Sequence, residues 1–149
     1  RERVLKSRSI PDHGASSTSV GGYAEKRKNQ KITLHSFEKN DNRTLDEIIG
    51  WLMDLGHIPS FCTACYREGR TGDRFHDSCQ NPVRSQNCCA PNALMTLKEY
   101  LEDYASDEVK AKGEVLIKTG LEKIPNPVVK QKATEYIENI HEGKRDFRF

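Results

Sequence analysis

The sequence predicts an α/β chain, in which a closing helix-and-strand unit over residues 1–61 gives way to a mostly helical extension over residues 62–149. Three observations carry that expectation. A helix with its own start and stop signals runs into a short, largely apolar segment at His57–Phe61. Cys62-Thr63-Ala64-Cys65 follows at once, and the stretch from Cys62 to Cys89 holds every cysteine of the chain. Beyond Cys89 the apolar residues recur at helical spacing as far as Ile140.

Glu2–Ser9 reads as the end of a helix. Ile10–Ser19 leads into Val20-Gly21-Gly22-Tyr23, a strand exit with a Gly-rich turn. Ala24–Asn42 is polar and patternless, and is expected to be a loop. Thr44-Leu45-Asp46-Glu47 is a capping box, in which the hydroxyl and the carboxylate satisfy reciprocal backbone donors. Leu45, Ile48, Ile49, Leu52 and Leu55 then keep the 3.6-residue period, with Trp51 packed beside them, and Gly56 is the stop. With His57–Phe61 as a strand, this is the αβ half of a βαβ unit. Cys62 then lies at the carboxyl end of that strand, where α/β folds bind their ligands.

Tyr66–Asn87, with Gly69, Gly72 and Pro82, is expected to be a long loop. A loop of about 20 residues inside a compact domain needs a reason, and metal ligands at its two ends supply one. Pro91-Asn92 starts a helix with Leu94, Leu97, Leu101 and Tyr104 inward. Ser106 caps a second, carrying Val109, Leu116 and Ile117, which Gly113 and Gly120 weaken by about 1 kcal/mol each relative to Ala. Asn126-Pro127 opens the last helix, with Val129, Ala133, Tyr136, Ile137 and Ile140 on one face. Gly143 ends it, and Lys144–Phe149 is a tail.

The 149 residues make one domain, or the end of a larger one. With 31% charged and 35% hydrophobic residues, a modest soluble core is expected and a membrane span is not. A formal net charge of +2, with both signs interspersed, argues against a nucleic-acid partner, which needs a concentrated basic face. Lys26-Arg27-Lys28 is a solvated run. An odd cysteine count and a CxxC pair without a signal sequence point to a reducing compartment, where such thiols bind metals or do redox chemistry. The chain opens on Arg1 rather than Met, so no targeting segment is legible, and it is taken to be a C-terminal fragment.

Cys62 and Cys65, one turn apart, with Cys88 or Cys89 returned across the intervening segment, make a soft-metal site. The plainer readings are two small buried side chains or a disulfide; a thioredoxin-type pair lacks its usual surroundings here. A structural zinc would need a closed tetrahedron, which Cys79, His76 and the Cys88-Cys89 pair are able to complete. A 4Fe–4S cluster on three cysteines would instead keep one iron open. Spacing does not decide between them. Arg67, Arg70 and Arg74 surround Thr71-Gly72-Asp73, either to offset thiolate charge or as a solvated loop with contacts to Asp73. His13, His35, His57 and His141 have no helical partner at ligand spacing and are assigned no role.

The run Ile58-Pro59-Ser60-Phe61-Cys62-Thr63-Ala64-Cys65-Tyr66-Arg67, then Gly69-Arg70-Thr71-Gly72-Asp73-Arg74-Phe75, resembles the C-terminal part of the radical S-adenosylmethionine maturases of the iron-only hydrogenases. So do Pro91–Leu101, the ending Gly143-Lys144-Arg145-Asp146, and upstream Thr18–Tyr23. The resemblance implies the end of a radical-SAM (β/α) TIM-type barrel followed by a cluster-binding domain. It implies a tyrosine lyase, related to 2-iminoacetate synthase, that makes the carbon monoxide and cyanide ligands of the hydrogenase H-cluster. It further implies an auxiliary 4Fe–4S cluster here, with S-adenosylmethionine and a second 4Fe–4S cluster held only upstream of Arg1. The implied partners are tyrosine-derived small molecules, free cysteine, iron and other hydrogenase maturases, in the cytoplasm or in a reducing organelle such as a hydrogenosome or plastid.

By this likeness Cys62 and Cys65 are cluster ligands. Family spacing selects Cys88 as the third, whereas family context, a cysteine one residue before Pro-Asn-Ala-Leu, selects Cys89. Cys89 is favoured, because its distance from the following helix is fixed while a loop absorbs an insertion. Three departures stand out. The three-cysteine motif of the S-adenosylmethionine cluster is absent, so this chain alone is expected to be inactive. Asp12–Ser17 differs from the usual Ser-Ala-Gly-Ser-Arg, leaving Ser17 where an arginine is expected near the substrate. Cys79 and the doubled Cys88-Cys89 are unusual.

Overall fold

A computed structural model describes residues 43–149, apart from the side chains of His76, Ser78 and Cys79. The expectations for Glu2–Asn42, including Ser17 and the Gly-rich turn, lie outside the described residues. Ile49–Phe149 forms one compact unit, and of the unit before it only residues 43–48 are described.

The capping box forms as read. Thr44 N–H donates to Glu47 Oε2 at 2.6 Å, and Glu47 N–H donates to Thr44 Oγ1 at 3.2 Å. It starts helix α1 (Leu45–Asp54). Gly56, at φ 77°, ends the helix with its N–H on the Met53 carbonyl, and His57 N–H reaches Leu52. The buried stripe is turned slightly from the one expected: Ile48, Ile49 and Met53 are inside, while Leu45 is 49% exposed.

No strand occurs among the described residues. His57–Phe61 is irregular, and its backbone bonding explains why. Phe61 N–H donates at 3.2 Å to the Thr96 hydroxyl rather than to a neighbouring strand, while the Phe61 ring stacks on Tyr100 at 5.3 Å. Cys62 therefore lies in a connection laid along a helix, not at a strand end.

The expected loop at Tyr66–Asn87 is mostly helical. It contains α2 (Ala64–Arg67), α3 (Asp73–Gln80) and α4 (Pro82–Arg84), the last continuing into a π-helical turn, Ser85–Cys89. Asn81 starts α4 by accepting the N–H groups of Val83 and Arg84 at 3.0 and 3.2 Å, with Pro82 in the position it favours. The π turn passes directly into α5 (Ala90–Asp103). Pro91 has no N–H for the Asn87 carbonyl one turn back, and its ring would strike that carbonyl in a regular helix. The widened turn relieves this, with Ala90 N–H bonded to the Ser85 carbonyl.

Helix α5 is central. Leu94, Met95, Leu97 and Leu101 are fully buried and meet Val109 and Ile117 of α6 (Asp107–Glu122) and Ala133, Ile137 and Ile140 of α7 (Pro127–His141). Tyr104, expected inward, is 77% exposed, because α5 ends at Asp103 and the ring turns out beside Tyr100. Gly113 and Gly120 let α6 lie close on α5. A Cβ at Gly120 would stand 2.6 Å from Leu94 Cδ2, and one at Gly113 would run into the Leu101 side chain.

Charge is buried in this bundle. Lys98, 4% exposed, pairs with Glu102 at 2.7 Å and with Glu114. Glu102 also takes Lys110 at 2.5 Å and His141 Nδ1 at 2.8 Å. Burial pushes the Glu102 carboxyl up, but hydrogen bonds from His141, Lys110 and Lys98 outweigh it and hold the group well below the usual carboxylate range. No helix among the described residues is long and apolar enough to cross a membrane.

Candidate metal centre

Cys65 is carried on α2, whose ending places a cation beside it. Gly69 takes φ 67°, with its N–H on the Tyr66 carbonyl at 3.0 Å, and Arg70 N–H bonds the Cys65 carbonyl at 2.9 Å. That pair of bonds is a Schellman ending, which a glycine adopts without strain. It folds Arg70 back so that Nη1 lies 4.0 Å from Cys65 Sγ, while the other end of the guanidinium pairs with Glu68. The Arg70 partner is thus Glu68 rather than the expected Asp73. Arg67 turns the other way, to Asp146 at 2.9 Å.

The third sulfur comes from the π turn. Cys88 Sγ lies 3.6 Å from Asn92 Nδ2 and donates to the Phe149 carbonyl at 3.4 Å. Burial pushes the Cys88 thiol up, and the Cys65 and Cys62 sulfurs push the same way, against the pull of Arg84 and Arg70. The Cys62 and Cys65 sulfurs therefore both lie within electrostatic reach of Cys88. All three are half-buried thiols outside any disulfide. Cys89 lines a separate, largely apolar hollow of about 450 Å³, with Ile58, Leu94, Ile124 and Lys123 among its walls. Cys62 instead borders a smaller hollow of about 100 Å³, with Arg67, Glu99, Asp146 and Arg148.

Zinc and an iron–sulfur cluster place different demands on these donors. Among the described residues, no three His, Cys, Asp or Glu side chains stand close enough to share one metal ion. A single zinc would require that closeness, with sulfurs about 2.3 Å from one centre. In an iron–sulfur cluster each thiolate takes a different iron, so the sulfurs stand further apart. A Cys88 thiol within electrostatic reach of Cys62 and Cys65, with a guanidinium beside Cys65 and an amide N–H on Cys88, is compatible with that wider anionic group. The side chains of Cys79 and His76, the other zinc candidates, lie outside the described residues.

Comparison with known proteins bears on this arrangement. Over 76% of its length the chain superposes on the crystal structure of HydG, a maturase of the FeFe-hydrogenase, with a TM-score of 0.68 and 43% sequence identity. The chain resembles the C-terminal part of HydG. It spans 25% of the length of that HydG chain. No protein-family model matches, and no curated protein matches. The likeness to HydG read from the sequence is thus borne out by three-dimensional superposition, and the described part of the chain is mostly helical.

Sequence reading missed two participants in the site. Asn92 is 1% exposed and Phe149 sits against it, yet Asn92 was read only as a helix start and Phe149 only as tail. The signal for Asn92 was an amide set among Pro91, Leu94 and Met95, a position that is buried and therefore must be satisfied. No local signal marked Phe149.

Proposed function

We propose that this chain carries the auxiliary-cluster part of a radical-SAM tyrosine lyase that makes carbon monoxide and cyanide for the hydrogenase H-cluster. In this reading residues 62–149 supply the cluster domain. The likeness to HydG is the observation that carries it. Cys62, Cys65 and Cys88 would hold a 4Fe–4S cluster. When bound, the cluster supplies one iron without a protein ligand, open to a small exogenous molecule such as free cysteine. Arg70 offsets the negative charge gathered at Cys65, and Asn92 donates to the sulfur of Cys88.

Cys88 is preferred to Cys89 as third ligand because the Cys65 and Cys62 sulfurs act on it and Asn92 donates to it. The tyrosine-derived molecules, the iron and the other maturases remain the proposed partners of the whole enzyme. S-adenosylmethionine chemistry would reside upstream.

Anaerobic reconstitution of the chain with iron and sulfide tests the proposal. Iron and sulfide are expected in equal amounts, with the absorbance and EPR of a cubane. Cys88→Ala is expected to abolish loading and Cys89→Ala to preserve it; the reverse pattern would return the ligand role to Cys89. Zinc at one per chain without sulfide would support the rival reading, a non-catalytic zinc-stabilised module.

A further inference from the structure

We propose that Asn92 is a positioning residue for the Cys88 sulfur, and that it fastens the 144–149 segment across that sulfur as a strap. The inference rests on Cys88 being a ligand, but its first test does not require metal. Asn92 lies on the first turn of α5, one turn beyond Cys88, with 1% of its surface exposed. Its Nδ2 donates to Cys88 Sγ at 3.6 Å and to the Phe149 carbonyl at 3.5 Å, and its Oδ1 accepts the Phe149 N–H at 2.9 Å. The Cys88 thiol closes the triangle by donating to the same carbonyl at 3.4 Å.

One side-chain amide thus engages both backbone groups of Phe149, as a paired strand would. An amide buried among apolar neighbours is costly unless it is used in this way.

The rest of the segment is held independently. Arg145 makes a two-pronged contact with Asp103 at 2.5 and 3.0 Å. Asp146 N–H donates to Glu99 at 2.9 Å, and Phe147 stacks on Tyr136 at 4.5 Å. Asp146 adopts φ 66°, an uncommon conformation outside glycine, and its side chain is tied to Arg67, next but one to Cys65. The strap therefore touches α2 at one end and Cys88 at the other. A metal-bound sulfur has given up its proton and can no longer donate to Phe149. Asn92 Nδ2 is then the group that links sulfur and strap.

The reduced, metal-free chain is treated with iodoacetamide, and alkylation of Cys88 is followed by peptide mass spectrometry. Asn92→Leu removes the amide; Phe149→Pro removes the N–H it grips, at a half-buried position less prone to misfolding. Both are expected to raise the Cys88 alkylation rate about tenfold, the equivalent of about 1.4 kcal/mol of lost closure, and to leave the Cys65 rate alone. Rates in both variants within about twofold of the parent, well under that one-bond equivalent, would overturn the strap.

In the cluster-loaded chain, Asn92→Leu is expected to shift the midpoint potential negative, since a hydrogen bond to a ligand sulfur is lost. An unchanged potential would overturn the positioning role. If the parent chain takes up no iron and sulfide, the cluster assignment fails while the alkylation result still judges the strap.

Discussion

Asn126 shows how much one side chain contributes at a helix start. Its Oδ1 accepts the N–H groups of Val128 and Val129 at 3.0 and 3.4 Å, two donors that α7 cannot satisfy internally. Asn126→Ala is expected to lower stability by about 1 kcal/mol in urea unfolding. A midpoint equal to the parent's would mean that solvent serves these donors equally well. Both this cap and the Thr44–Glu47 box were legible in the sequence, because a cap is a local pattern of polar residues just before an apolar period. Arg70 was legible in kind, as a cation near thiolates, but not in partner. Which of three arginines turns to sulfur is decided by where Gly69 ends α2, and that ending depends on backbone conformation.

At the scale of elements, the two glycines of α6 separate propensity from packing. Counted as helix residues, each costs about 1 kcal/mol relative to Ala. Counted as contacts, they leave room for Leu101 and Leu94, both buried and unable to retreat. Overpacking of this kind typically costs about 1–3 kcal/mol, so Gly113→Ala is expected to lower the thermal midpoint despite the gain in helix propensity. A higher midpoint would show that α6 has room to shift.

The three long helices α5, α6 and α7 were readable within a few residues, since each has a sustained apolar period between stop signals. The short helices between Ala64 and Cys89 were not. They have too few residues to show a period, and they form because Asn81 caps and Tyr66 stacks on Phe75 at 5.2 Å. The strand expected at His57–Phe61 failed for a related reason. Alternation over so few residues does not reveal whether a partner strand exists, and Thr96 takes the backbone donor instead.

Across the whole unit, the buried charges on α5 join all three long helices. Removing Glu102 leaves the enclosed Lys98 with Glu114 as its carboxylate, while Lys110 and His141 turn to solvent. The cost falls below that of a fully stranded buried charge, about 3–5 kcal/mol. Glu102→Gln is therefore expected to destabilise the chain at neutral pH. The pH dependence follows from the direction of the Glu102 shift. Its folded pKa lies below its unfolded value of about 4.3, so its contribution is complete above that value and drains away as pH falls. The gap between parent and Glu102→Gln should accordingly narrow below about pH 4, as followed by urea unfolding across pH; a gap of constant size would rule the carboxylate out as the acid-labile element. Lys98 has the opposite sign. Burial lowers its pKa, but the hydrogen bonds it donates to Glu102 and Glu114 outweigh this and raise it, so its share persists below about pH 10.4 and fades in strong alkali. None of this network was legible beforehand, because residues 98, 102, 110, 114 and 141 become neighbours only once the helices pack.

The doubled cysteine acquires a different meaning from the turn that holds it. A π turn accommodates one residue more than an α turn, and here it does so at the two adjacent sulfurs. Because Pro91 denies that stretch an ordinary winding, the surplus position is locked in, and the neighbouring thiols are parted: one beneath the final residue, the other beside an apolar recess.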